Sequence, residues 1–238
     1  MKQCNLLLVL LALIVVLPSC EKIIGKGPIV IDNRSTTSFN SLQLSLPADA
    51  YFKQDSVFKV ELHAQQNILD EIESVVINNE LRIRFRDINT RVRSHEGITI
   101  YISAPDIRNM EVEGSGNLQV TGPFTPANLG LSIEGSGNIH VQDISTSLIG
   151  TNISGSGNIT IDNGYANEVV LTVEGSGHTD VSNVQAKDAN ARISGSGIIR
   201  LYATQNLKAR ISGSGTIFYK GTPVINSQTS GSGSVVHM

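Results

Sequence analysis

Residues 133–141 read IEGSGNIHV, and the Gly-Ser-Gly at their centre recurs along the second half of the chain. Successive copies begin 21, 20, 20, 20, 18 and 18 residues apart, at Gly114, Gly135, Gly155, Gly175, Gly195, Gly213 and Gly231. A repeat of nearly constant length is the signature of an architecture in which one unit stacks on the next. This repeat therefore decides the fold class.

Apolar and polar residues alternate on both sides of each tripeptide. Leu129, Leu131 and Ile133 precede one copy, and Ile139 and Val141 follow it. Such alternation is typical of a strand with one buried face. Turn-forming residues separate the repeats, as in the Asp-Asn-Gly of residues 162–164. We predict an all-β parallel β-helix, or solenoid, with about 18–21 residues per coil; an antiparallel β-sandwich is the alternative.

The glycines of the tripeptide are expected to form structural corners. In the period-2 pattern both share the phase of the apolar residues, so both are predicted to face inward, where a wall without Cβ atoms can turn. The corner glycines are Gly114, Gly116, Gly135, Gly137, Gly155, Gly157, Gly175, Gly177, Gly195, Gly197, Gly213, Gly215, Gly231 and Gly233.

The residues in the opposite phase are predicted to form a polar surface stripe. Equivalent residues of adjacent coils are expected about 4.8 Å apart. The candidate contact residues are Glu113, Ser115, Asn117, Glu134, Ser136, Asn138, Ser156, Asn158, Glu174, Ser176 and His178. A ladder of small polar residues is also what any solvated solenoid face presents, so the stripe has both a functional and a purely structural interpretation.

The start of the chain reads as a targeting segment. Residues 6–17 are almost wholly apolar, a length typical of a signal peptide and too short to span a bilayer comfortably. The Leu-Pro-Ser-Cys of residues 17–20 resembles a bacterial lipobox, which implies cleavage of residues 1–19 and lipidation of Cys20. An ordinary secretory signal with a free Cys20 is the alternative. The only other cysteine, Cys4, lies within the signal, so a mature chain contains no disulfide.

The rest of the chain divides by composition. Residues 20–33 are predicted to be a tether, residues 34–105 an N-terminal β region continuous with the solenoid, and residues 106–238 the Gly-Ser-Gly solenoid. Within the β region, residues 67–73 favour one or two helical turns with Asn67 as N-cap, although a strand is an alternative. We expect the last coil to lack a covering segment and to be a candidate surface for homo-oligomer formation.

Charge and chemistry exclude several functions. The net charge of −3 gives no basic surface for nucleic acid. The five histidines (His63, His95, His140, His178 and His237) show no metal-ligand spacing, so no metal, cofactor or catalytic residue is predicted. Glu113 and Glu134 are expected one coil apart, close enough for coupled titration or a shared cation. The arginines Arg82, Arg84, Arg86, Arg91 and Arg93 indicate either a solvated face or a contact with anionic lipid.

One family resemblance covers about residues 34–238. Residues 98–107 lead into residues 110–116, and Gly-Ser-Gly is then followed by Asn or His and by alternating apolar residues. This pattern, with Arg34, Phe39 and Leu42 near the start, resembles the putative auto-transporter adhesin head GIN domain family. The resemblance implies a β-helical fold and a cell-envelope location in Bacteroidetes-type lipoproteins. It implies no catalytic residues.

These expectations favour a non-enzymatic outer-membrane lipoprotein that acts as an adhesion or binding scaffold through its repetitive β-solenoid surface, with its periplasmic or surface face undetermined. Its partners are predicted to be the membrane, through the lipid on Cys20, and a glycan or an envelope protein. The alternatives are a self-assembling structural spacer and, less favoured, a carbohydrate-active enzyme.

Overall fold

The computed structural model describes residues 22–93 and 96–238, and the fold is a β-solenoid of about six turns. Strands make up 72% of the chain and helix 2%. The predicted all-β solenoid is confirmed. The signal peptide and Cys20 lie outside the described residues.

The N-terminal part of the described chain contains nine strands and one short helix. They are β1 (Lys22–Ile24), β2 (Ile29–Arg34), β3 (Ser41–Ser45), β4 (Asp49–Gln54), β5 (Lys59–Gln65), α1 (Gln66–Leu69), β6 (Ile72–Ile77), β7 (Glu80–Phe85), β8 (Arg91–Arg93) and β9 (Thr99–Ala104). No helix in the described residues is long and apolar enough to cross a membrane.

The Gly-Ser-Gly region continues as eleven strands. They are β10 (Asn109–Gly114), β11 (Asn117–Phe124), β12 (Asn128–Gly135), β13 (Asn138–Gly155), β14 (Asn158–Ile161), β15 (Gly164–Gly175), β16 (His178–Gly195), β17 (Ile198–Gly213), β18 (Thr216–Lys220), β19 (Val224–Ser230) and β20 (Ser234–His237). Each pairs in parallel with the equivalent segment of the next coil, so that Gly135 lies opposite Gly155 and Gly155 opposite Gly175. The repeat length therefore equals one coil.

The N-terminal coils stack out of chain order. Strand β3 pairs in parallel with β7 on one side and with β10 on the other. Strand β4 likewise lies between β9 and β11. The coil of β3 and β4 is thus second in space although it comes first in the chain. We call it the out-of-order coil. Strand β5 runs antiparallel between β2 and β9, and β6 antiparallel to β7, so antiparallel strands cover this end of the stack.

The core consists of columns of aliphatic side chains inside the coils. Ile133, Ile153, Val173 and Ile193 form one such column and are at most 1% exposed. Burying a Val, Leu or Ile side chain stabilises a fold by about 1.5–3 kcal/mol. A single coil cannot enclose its own apolar face, so stacking supplies this stabilisation.

The segment expected to be a tether contacts the fold. Strand β1 pairs with β8, and β2 is an edge strand beside β5. Asn67 explains part of this contact: its side-chain oxygen accepts a hydrogen bond from the Lys26 N–H, and its amide donates to the carbonyl of Ile24, both at 2.9 Å. The prediction of Asn67 as helix N-cap is therefore wrong, since Gln65 precedes α1 and the Asn67 side chain holds the incoming chain instead.

Candidate functional site

The second glycine of each corner is closely packed, and it is buried in every corner except the last, where Gly233 is half-buried. At Gly157, a Cβ atom would lie 2.5 Å from the carbonyl oxygen of Gly137 and 2.7 Å from Cγ2 of Ile133, both in the preceding coil. Neither neighbour moves without disturbing the strand ladder or the core. The expectation that this glycine faces inward agrees with the structure.

The first glycine differs from that expectation. Gly135, Gly155, Gly175 and Gly195 have φ between +118° and +131°, and they are only half-buried. A Cβ atom on Gly155 would point along the stack, onto the carbonyl oxygen of Gly135. Positive φ interrupts the period-2 alternation at the corner, which is why the prediction that both glycines face inward is wrong for the first of them.

The central serines of the corners are exposed, as the phase predicts. Their backbone N–H groups donate to the first glycine of the preceding coil, as from Ser136 to Gly114 at 2.8 Å and from Ser156 to Gly135 at 2.9 Å. Within the described residues, no side-chain hydroxyl of this column is hydrogen-bonded to protein. The serine backbone thus connects the coils, and its hydroxyl faces solvent.

The asparagines after the corner form a hydrogen-bonded ladder. The amide of Asn117 donates to Asp49 Oδ1 at 2.7 Å, that of Asn138 to Asn117 Oδ1 at 2.8 Å, and that of Asn158 to Asn138 Oδ1 at 2.8 Å. Adjacent strands place equivalent residues at the separation that this chain of amides requires. The column is extended by His178 of the next coil. Much of the hydrogen-bonding capacity of these side chains is therefore used in joining coils.

Three carboxylates of the stripe region lie together. Oxygen atoms of Glu111, Glu113 and Glu134 are within 4.8 Å of one another, the one cluster of this kind in the described residues. Gln43 Nε2 donates to Glu113 Oε1 at 2.9 Å, and Ser45 Oγ donates to Glu113 Oε2 at 2.6 Å. Glu113 is therefore held from one side by the out-of-order coil.

Glu111 is the member of this cluster that sequence reasoning missed. Partial burial raises the pKa of its carboxyl, and the negative charge of Glu113 raises that pKa further. Its position two residues before Glu113 puts it on the same outer face, a signal already present in the alternation. Glu174 is not a member, because Ser154 lies between it and Glu134 in the register.

The arginine row is largely paired. Arg82 Nε contacts Glu80 Oε2 at 2.6 Å, and Arg84 Nε contacts Glu73 Oε1 at 2.7 Å. Arg86 Nε donates to the carbonyl of Asp70 at 3.0 Å. These contacts favour the solvated, charge-balanced interpretation of this row over a free basic surface.

The described histidines are dispersed over the solenoid. His63 contacts Glu61 at 2.7 Å and His140 contacts Asp162 at 2.6 Å, whereas His237 contacts the carbonyl oxygen of Gly221. His178 belongs to the asparagine column, and His95 lies outside the described residues. The structure does not bring these four side chains to one site.

Comparison with known proteins yields one family and several similar solved structures. The family model for the putative auto-transporter adhesin, head GIN domain, matches residues 38–223. No curated protein matches the chain. A putative adhesin of Bacteroides fragilis has a TM-score of 0.85 at 24% identity, over 91% of this chain and 100% of its own.

Two Parabacteroides distasonis structures have the same architecture. One is described as a putative lipid binding protein, with a TM-score of 0.78 and 25% identity over 92% of this chain and 100% of its own. The other is a putative adhesin, with a TM-score of 0.76 and 22% identity over 92% and 100%.

Proposed function

The chain belongs to the putative auto-transporter adhesin, head GIN domain family, and on that premise we propose that it is a non-catalytic envelope lipoprotein that binds a partner on its solenoid surface. The observation that carries this proposal is the exposed outer face itself. In-register coils hold polar columns at a fixed spacing on a stacked scaffold. Such a face suits adhesion, which requires a rigid array of contacts.

The N-terminal end of the solenoid is the end that we place near the membrane. Strand β1 begins at Lys22, two residues after Cys20, and pairs with Arg91–Arg93. Two residues span at most about 7 Å, so a lipid on Cys20 holds this end of the stack close to the bilayer. The later coils then extend the polar columns away from it.

Anchoring and exposure are tested in cells. Cys20→Ser is expected to abolish labelling by a radioactive fatty acid and to release the protein from the membrane fraction. A protease added to intact cells is expected to digest the wild-type solenoid, with a periplasmic marker protein as the control for envelope integrity. Protection of the solenoid in intact cells would contradict the adhesion role.

Self-assembly through the last coil is the second candidate function. Val224 is 75% exposed, Ile225 41% and Val236 39%, although all three lie on strands β19 and β20. Exposed aliphatic strands are surfaces that pair readily with another chain. We expect concentration-dependent association in light scattering, reduced in Ile225→Lys. A monomer at every concentration would exclude this candidate.

A further inference from the structure

Two tyrosines that are distant in sequence meet on the outer face, where the out-of-order coil pairs with the coil of β7 and β9. Tyr51 on β4 lies directly opposite Tyr101 on β9. Their rings are 5.5 Å apart between centroids and inclined by 19°, and the ring of His63 packs edge-on against Tyr101 at 5.0 Å. Three rings therefore lie side by side on the outer face of the solenoid.

Tyr101 of this aromatic pair is exposed, Tyr51 is half-buried, and both have unused hydrogen-bonding capacity. Tyr101 is 41% exposed, and neither phenol hydroxyl is hydrogen-bonded within the described residues. The chain has no tryptophan and only five tyrosines, so two of its few large rings lie at this one place. Aromatic rings that combine an apolar face with a polar tip are typical of binding surfaces.

The tyrosines border a shallow cleft that has hydrogen-bond donors and acceptors at its rim. The cleft has a volume of about 360 Å³, and Lys53, Asp55, Lys59 and Thr121 also line it. Pockets that take one small ligand have volumes of about 300–1,000 Å³ and combine apolar walls with a few polar groups. The cleft is near the lower limit of that range, which fits one or two small rings.

The positive and negative side chains at the rim of the cleft add up to no net charge. Lys59 Nζ contacts Glu61 Oε2 at 2.7 Å, so its charge is compensated within the protein. Lys53 and Asp55 contribute one charge of each sign, and both are exposed. An ammonium donor and a carboxylate acceptor beside an apolar ring match a ligand whose hydroxyl groups both donate and accept. They give no net attraction for an anion.

We propose that this cleft binds a pyranose ring of a neutral glycan, packed against the tyrosine pair, with Lys53 and Asp55 hydrogen-bonded to its hydroxyls. The inference rests on the proposed binding function and names its ligand class. The contact then lies not on the Gly-Ser-Gly stripe, where asparagine amides are used between coils, but on a face where the Lys53 ammonium and the Asp55 carboxylate are exposed, the carboxylate accepting one hydrogen bond from Ser56 Oγ at 3.3 Å.

Binding is tested by saturation-transfer NMR and calorimetry with the mature full-length protein. The probes are the neutral hexasaccharides of glucose, mannose, xylose and N-acetylglucosamine, the anionic hexagalacturonate, and vesicles of phosphatidylethanolamine with phosphatidylglycerol. We expect at least one neutral probe to bind, with an affinity unchanged between about 50 and 200 mM salt, because no net charge is neutralised.

Matched variants locate the site. Tyr101→Ala is expected to weaken binding at least tenfold, and Lys53→Met severalfold. Tyr165→Ala is the control, because Tyr165 is 40% exposed on β15, distant in register from the cleft. Tyr101→Phe keeps the ring and is expected to retain most of the affinity. A loss of affinity in Tyr101→Ala, with an unchanged midpoint of thermal unfolding, then shows that the ring itself contacts the glycan.

Four results would overturn the proposal: no neutral probe binds, only hexagalacturonate binds and does so in a salt-sensitive way, only vesicles bind, or Tyr101→Ala behaves like Tyr165→Ala. A failure of the site is distinguishable from a failure of the proposed function. If Tyr101→Ala retains wild-type glycan binding, the adhesion role stands and the contact lies elsewhere; if protease does not reach the solenoid on intact cells, the role itself fails.

Discussion

Replacing Gly157 by alanine tests the corner geometry with a single methyl group. The new Cβ would lie 2.5 Å from the Gly137 carbonyl oxygen and 2.7 Å from Ile133 Cγ2. The carbonyl oxygen accepts a hydrogen bond from the Asn158 N–H at 3.2 Å, and Ile133 is fully buried. Relief of the clash therefore requires movement of a ladder strand, a core side chain or both.

The expected change in the free energy of unfolding is the difference between two opposing effects. Forcing an extra carbon into a packed interior costs about 1–3 kcal/mol, and contact with a fixed backbone atom favours the upper end of that range. Replacing glycine by alanine in a strand returns about 0.5–1 kcal/mol of conformational entropy. The net loss is about 2 kcal/mol, which corresponds to a fall in Tm of roughly 4–8 °C for a chain of this size.

Gly150 supplies the matched control. It lies on the same strand, β13, has no positive φ, and a Cβ there would meet nothing closer than the Leu129 carbonyl oxygen at 4.0 Å. The equivalent residue of the next coil is Val170, so a side chain is accommodated in this row. Gly150→Ala is expected to stabilise the fold by about 0.5–1 kcal/mol.

Urea and thermal unfolding, followed by circular dichroism, measure both variants. Stacked repeats need not unfold in one step, so transition midpoints are compared directly. A wild-type midpoint for Gly157→Ala, or a shift in the same direction for Gly157→Ala and Gly150→Ala, would contradict close packing at the corner.

Two further perturbations test the polar columns. Asn138→Ala removes two amide hydrogen bonds and is expected to lower the free energy of unfolding by about 1–2 kcal/mol, whereas Ser136→Ala, with its exposed hydroxyl, should change it by less than about 0.5 kcal/mol; equal urea midpoints for both would contradict the ladder. Glu111→Gln is expected to raise stability at neutral pH. A carboxyl pKa raised on folding makes wild-type stability fall as pH rises above its ordinary value of 4.5. The gain should vanish below that pH, and a pH-independent gain would exclude this cause.

The repeat predicts the later coils well because its period and its alternation are both visible in one sequence. Each coil must present aliphatic residues inward at the same phase, so Ile133 and Ile153 are placed in one column by counting alone. Counting places the first glycine in the wrong direction because it assumes an uninterrupted strand. At Gly155 a φ near +130° turns the backbone, and this turn does not change the alternation of apolar and polar residues in the sequence.

The out-of-order coil could not be predicted in the same way. Residues 41–54 carry no Gly-Ser-Gly, and their corner is Leu46-Pro47-Ala48, with the Leu46 carbonyl oxygen packed against Gly116. Parallel pairing between residues that are 39 to 68 positions apart leaves no local signal, since any alternating strand of the right length satisfies the same pattern. Tyr51 and Tyr101 are therefore unremarkable in the sequence and adjacent only in the fold.

Ligand specificity is expected to depend on surface features that occur once in the solenoid and not on those that every coil repeats. A column in which every coil offers the same small polar group gives a ligand several equivalent registers, and its residues are constrained by the packing of the coils, as the asparagine ladder is. A feature that occurs once gives a single register and is free of that constraint. The tyrosine pair occurs once, where the chain departs from sequential stacking. If the molecule discriminates among ligands, substitutions at the tyrosine pair of β4 and β9, and not in the Gly-Ser-Gly stripe, should alter affinity without altering stability.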